Sequence, residues 1–149
     1  MSLPRLVIAT YFPRDPEKPS GGVEAVSVNL VRALAARGEF LVDVVTLDTA
    51  IDQPALSEWQ GARLHRLARG NGSELGTAIG RGRATVQQYI RTLGADIVHA
   101  HDTFGIMVQG LELPRVFTIH GFIYGDTLVS GRKLARLRSW LWKRYETAA

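Results

Sequence analysis

The sequence predicts an α/β fold, with a Rossmann-like parallel sheet covered by helices on both faces. Three observations carry this. Short apolar runs without alternation, such as Leu6-Val7-Ile8-Ala9, read as strands buried on both sides. Stretches with apolar residues at helical spacing stand between them. Glycines punctuate the ends of the helical stretches, as Gly38 and Gly94 do.

In order along the chain, Leu6–Thr10 is a predicted strand. Residues 11–22, with Pro13, Pro16, Pro19 and then Gly21-Gly22, form a longer joint than the usual ~2–6 residues. Val23–Arg37 is a predicted helix on the pattern Val23, Val26, Leu30, Leu34. Val42–Leu47 is the second strand. Residues 48–62 read as loop with a helical turn, Arg63–Leu67 as a short third strand and glycine-rich 68–76 as loop. Residues 77–93 read as one helix (Ile79, Val86, Ile90, Leu93). Asp96–Ala100 is the fourth strand, 103–111 a short helix, and Pro114–Ile119 the fifth strand, with proline at its tolerated first position. Residues 131–147 form a final helix.

At 149 residues the chain suits one domain, and 46% hydrophobic with 21% charged residues suits a packed core. The absence of cysteine excludes disulfides, thiolate metal sites and thiol nucleophiles. No apolar stretch nears the roughly 18 residues of a membrane span, and the N-terminus has no signal-peptide pattern; the protein reads as cytoplasmic. The net charge of +4 is unevenly placed: six basic residues and no acid lie within 132–144, against twelve basic and fourteen acidic residues elsewhere. That distribution argues against a nucleic-acid surface. In the terminal helix Leu134, Leu137, Leu141 and Tyr145 form one stripe, flanked by Trp140 and Trp142. A basic amphipathic helix of this kind either packs on the sheet with a solvated basic face or touches an anionic membrane through 132–145.

Ligands of open parallel sheets bind beyond the carboxyl ends of the strands. Gly21-Gly22 follow the first strand, His101-Asp102-Thr103 follow the fourth (His99 just before), and His120-Gly121 follow the fifth. The glycine pair opens a helix, where bare backbone N–H groups and partial positive charge suit a phosphate; equally, it could serve only as a tight turn. It matches neither a P-loop nor a G-x-G-x-x-G fingerprint. His99 and His101, two apart, lack an evident third metal ligand, so no metal site is predicted. His120 either donates to a ligand or caps its own loop.

The runs "SGGVEAVSVNLVRALAARG", "VDVVTL", "ADIVHAHD" and "PRVFTIHG", in this order from Leu6 to about Asp126, resemble the N-terminal, acceptor-side half of family 4 (older name group 1) retaining glycosyltransferases of GT-B architecture. The resemblance implies transfer of a sugar from a nucleotide-sugar donor to a glycan or lipid-linked acceptor, without cofactor or metal. By position it places Gly21, Gly22 and Gly121 against the donor diphosphate and sugar. His120 falls at the reacting centre, and His101, Asp102 and Thr103 at the acceptor pocket. Glu24 and His99 have weaker roles, Glu24 in shaping the loop. The family's second domain, with two glutamates separated by seven residues, has no counterpart in residues 1–149; Glu17 and Glu24 are separated by six and lie in the first loop. The expectation is an isolated N-terminal domain, inactive alone. Alternatives are a non-catalytic sugar- or nucleotide-binding or partner-docking module, and a GT-B nucleotide-sugar epimerase.

Overall fold

A computed structural model describes residues 2–131 and 134–148. Six strands, β1 (Arg5–Ala9), β2 (Leu41–Asp48), β3 (Ala55–Trp59), β4 (Ala62–Ala68), β5 (Ile97–His101) and β6 (Arg115–Thr118), form one sheet in the order β3-β4-β2-β1-β5-β6. All neighbours are parallel except β3 and β4. The predicted parallel sheet is therefore a mixed one, through an edge strand that the sequence reading had as loop. The cause is local: Gln60 (φ 51°) and Gly61 (φ 83°) make a two-residue turn with both central residues at positive φ, the geometry that folds two strands into a tight antiparallel hairpin. Residues of β3 are mostly exposed, so its burial pattern carries no strong strand signal.

The described residues also form six helices: α1 (Gly22–Arg37), α2 (Glu74–Ile79), α3 (Arg81–Leu93), α4 (Thr103–Met107), α5 (Ile123–Val129) and α6 (Ala135–Glu146). Strand alternation sends Leu6, Ile8, Val42, Val44 and Leu64 to one face, where Val28 and Val31 of α1 cover them. Val7, Ala9, Val45, Leu67, Val98 and Ala100 point to the other, under Val86 and Ile90 of α3, Phe104 of α4 and Trp142 of α6. Helices thus cover both faces, as the apolar runs require.

Three helical readings shift. In α1 the buried positions are Ser27, Val28 and Val31, while Val26 is exposed; both sets have helical spacing, and only packing selects between them. The helix expected over 77–93 is two helices meeting at Gly80. A Cβ on Gly80 would lie 2.6 Å from the carbonyl oxygen of Gly76, and one on Gly82 would lie 2.4 Å from the Thr77 side chain, so glycines permit the corner. In α6 the buried residues are Ser139 and Trp142, whereas Leu134, Leu137 and Trp140 are exposed. Of the predicted stripe, Leu134 and Leu137 do not face the core while Tyr145 packs against it; Trp142 anchors the helix, and Ser139 Oγ donates to the Tyr124 carbonyl at 2.7 Å. Helix α5, within a stretch read as site loop, is held at its start by Glu146, whose carboxylate accepts from the N–H groups of Ile123 (2.8 Å) and Tyr124 (3.1 Å). Arg132 and Lys133 of the basic segment lie outside the described residues.

Candidate functional site

The direction of chain crossover reverses between β1 and β5, since α1 leads away to β2 on one side and α3 leads back to β5 on the other. In open sheets such a switch point leaves a crevice beyond the strand ends. Here it is a cleft of about 270 Å³. Tyr11 follows β1, Val23 opens α1, Asp102 and Thr103 follow β5, and His120 and Gly121 follow β6; all line it. The ends of β1, β5 and β6, at Ala9, His101 and Thr118, meet at one rim.

The glycine pair stands beside this cleft with no internal reason to be glycine. Gly21 has an extended backbone (φ −156°, ψ 172°) that any residue can adopt. A Cβ on either Gly21 or Gly22 would meet nothing within 4 Å. As N-cap residue of α1, Gly21 offers no side chain to the first-turn N–H groups, where serine or aspartate would cap them. The helix start is left bare and the space above it open. A tight turn does not explain these glycines. Glu24 shapes the approach instead: its Oε2 accepts from the Ser20 N–H (2.6 Å) and Oγ (2.7 Å), fixing the last residues of the long loop.

The histidines form a stack. His99 lies on His101 with centroids 4.5 Å apart, and His101 on His120 at 5.1 Å. His99 Nε2 is 2.8 Å from Thr118 Oγ1, and His101 Nδ1 is 2.8 Å from His120 Nε2. His101 is 1% exposed and sits behind His120, so it meets the cleft through that ring. Burial, then the neighbouring imidazoles, push the His101 pKa down to about 4, and burial also lowers that of His99. His101 is therefore neutral at pH 7. Among the described residues its Nε2 is buried without a partner, as is the hydroxyl of Thr103, which lines the cleft.

Asp102 joins the two strand ends. Its Oδ1 accepts from the His120 N–H at 2.8 Å, while its own N–H donates to the Thr118 carbonyl at 3.0 Å. It does so at φ 47°, ψ −121°, a conformation that favours glycine. Strain of this kind persists only where surrounding structure enforces it. Gly105 sits just behind, where a Cβ would fall 2.1 Å from the Phe117 ring, so α4 and β6 pack too closely for any side chain. Sequence reasoning found neither that requirement nor Tyr11. The Tyr11 hydroxyl donates to Glu74 Oε1 at 2.9 Å and its ring packs edge-on against Phe104. Burial, then the Glu74 charge, raise its pKa. Among the described residues no group of three His, Cys, Asp or Glu side chains is disposed to hold a metal ion, and no helix is long and apolar enough to cross a membrane.

Residues 20–149 match the sequence model of Glycosyltransferase Family 4. The chain belongs to glycosyltransferase family 4. This glycosyltransferase domain is similar in fold to a sucrose-phosphate synthase from Thermosynechococcus elongatus, at TM-score 0.64 and 19% identity, over 91% of this chain and 39% of that one. A second structure of that synthase aligns at TM-score 0.53 and 15% identity, over 84% of this chain and 67% of that one. The family 4 domain thus spans well under half the length of the first synthase chain. No curated protein matches it.

Proposed function

We propose that this family 4 domain is the N-terminal, acceptor-side half of a retaining GT-B glycosyltransferase. It transfers a sugar from a nucleotide-sugar donor to a glycan or lipid-linked acceptor. A second Rossmann-like domain, outside these 149 residues, completes the nucleotide site. The observation that carries the reading is the unexplained bareness of Gly21 and Gly22 next to Val23, which lines the same cleft as His120. Room for a ligand is the remaining reason for that bareness.

In this reading the donor diphosphate rests on the free N–H groups at the start of α1, with Gly121 allowing a second close approach. Sugar transfer develops an oxocarbenium-like centre while negative charge grows on the leaving phosphate. Fixed N–H dipoles at that phosphate lower the barrier without reorganising. His120 touches the transferred sugar. His101, being neutral and behind it, holds its ring; Asp102 holds its backbone; His99 supports the stack. Asp102 and Thr103 face the acceptor. The donor phosphate takes the acceptor proton, so no carboxylate pair and no metal is needed. The purified 149-residue chain should transfer no sugar, and turnover by it would overturn this division of labour. In the full-length protein, His120→Ala should abolish transfer while leaving the fold intact. Wild-type folding with no transfer by the full-length protein itself would favour the alternative of a non-catalytic sugar- or nucleotide-binding or docking module.

The outer face of α6 favours a peripheral membrane contact. Leu137 and Trp140 are more than half exposed there beside exposed Arg136, Lys143 and Arg144, with Leu128 and Val129 exposed on neighbouring α5. Binding to vesicles containing anionic lipid should weaken with salt. It should fall when Arg136, Arg138 and Lys143 become glutamine; unchanged cosedimentation would end the idea.

A further inference from the structure

A second cleft, of about 250 Å³, opens beyond the ends of β1, β2 and β4, with Tyr11 as the wall it shares with the His120 cleft. Three arginines, Arg14, Arg66 and Arg69, and two carboxylates, Asp48 and Glu24, line it. The carboxylates are already engaged. Arg14 grips Asp48 with two guanidinium nitrogens, the nearer bond made by Nη2 and the other by Nε at 2.9 Å, which lowers the Asp48 pKa. Glu24 serves Ser20.

Arg66 is partly buried, and its guanidinium donates to the carbonyls of Phe12 (3.2 Å) and Pro13 (2.5 Å). Carbonyls orient a cation without neutralising it. Among the described residues Arg66 has no ion-pair partner, and its burial lowers its pKa even with Asp48 and Glu24 nearby. Desolvating a cation without a counter-charge is costly. The Arg69 side chain has no hydrogen bond or ion pair among the described residues, while its N–H is anchored on the Asp48 carbonyl at 2.9 Å. Two guanidinium groups with no ion-pair partner among the described residues therefore face one sugar-sized space, whose three arginines against two carboxylates leave one positive charge in excess.

We infer that this cleft is a subsite for an anionic substituent, a phosphate or carboxylate, on the acceptor sugar, held by Arg66 and Arg69. The assignment to the acceptor rests on the function proposed above; the anion site itself rests on the pairing of charges. Guanidinium forks match both oxyanions, and the loop carbonyls hold the Arg66 fork in place before the ligand arrives.

The probes are inorganic phosphate, a hexose 6-phosphate, a hexuronate and the neutral hexose, titrated into the 149-residue chain by NMR of the arginine side-chain N–H groups. Inorganic phosphate should perturb the signals of Arg66 and Arg69. One anionic sugar should bind at least tenfold more tightly than the neutral one, and which of the two does so tells phosphate from carboxylate. Arg69→Gln, which breaks no hydrogen bond or ion pair among the described residues, should weaken it about tenfold at unchanged melting temperature. Equal binding of charged and neutral sugars, or no effect of Arg69→Gln, overturns the inference. Displacement of the anionic sugar by uridine diphosphate would give the cleft to the donor and overturn the acceptor assignment. Loss of transfer on His120→Ala with no anion preference would sink the subsite alone; an anion preference with no dependence of transfer on His120 would sink the proposed function alone.

Discussion

Two polar clusters interrupt the apolar sheet, one near each end of its strands, and they obey opposite rules. Toward the amino ends, Asp43 is wholly buried, yet its carboxylate accepts from His65 Nε2 (2.5 Å), Arg63 (2.8 Å) and Arg5 (3.2 Å), and His65 Nδ1 is bonded to the Tyr89 hydroxyl at 3.1 Å. At the carboxyl ends, His101 and Thr103 each keep a buried atom without a partner among the described residues, and Asp102 is strained. A satisfied network serves the fold. An unsatisfied, strained one is tolerated where a ligand completes it.

The largest effect should come from breaking the satisfied cluster. Asp43→Ala leaves two arginines and a histidine around an empty site and should cost about 3–5 kcal/mol, read from denaturant unfolding. A loss below about 1 kcal/mol would erase the contrast between the clusters.

Acid should separate the two clusters by pH. His101 has a folded pKa of about 4 against an ordinary 6.5, so the unfolded chain binds more protons between those values. Stability then falls as pH drops from 6.5 to 4, by up to roughly 3 kcal/mol for this group. Asp43 titrates below its ordinary 3.8: burial raises its pKa, and the bonds from His65 and Arg63 outweigh that. Its contribution is present above 3.8 and lost only as pH falls through the lower folded value. His101→Phe should shrink the 6.5–4 limb, to which the lowered pKa of His99 also contributes, and leave the more acidic one. A wild-type pH profile in that variant would show that the limb belongs elsewhere.

Smaller still is the release of strain at the rim. Asp102→Gly relieves a positive φ but loses the bond to the His120 N–H. The two effects, each about 1 kcal/mol, should nearly cancel in stability, while hydrogen exchange at the His120 amide quickens. Unchanged exchange would show that Asp102 does not fix His120.

Much of the architecture was legible because parallel strands buried on both faces must be continuously apolar, as Leu6–Ala9 and Val42–Leu47 are. The meeting of the segments after β1, β5 and β6, with Val23, Thr103 and His120 on one cleft, was legible for the same reason, since the order of strands in an α/β sheet brings their carboxyl ends together. What was hidden depends on backbone sign and on partners distant in sequence. Gln60 has to take φ 51° to create β3, and no property of glutamine announces that. Gly80 and Gly105 matter through Gly76 and Phe117, which pattern alone does not pair with them. Leu137 and Trp142 share helical spacing with their neighbours, and only the neighbouring surfaces select Trp142 for the core. The cleft of Arg66 and Arg69 escaped notice because those arginines sit in and after a strand read for its apolar residues.

The most direct measurement is sugar transfer by the full-length protein carrying Gly22→Val, together with its melting temperature. The side chain enters open space at an ordinary backbone conformation, so stability should stay within about 1 kcal/mol, while transfer falls by two orders of magnitude or more because the donor can no longer reach the bare helix start. A stable variant that transfers sugar at the wild-type rate would contradict the claim that these glycines exist for the ligand.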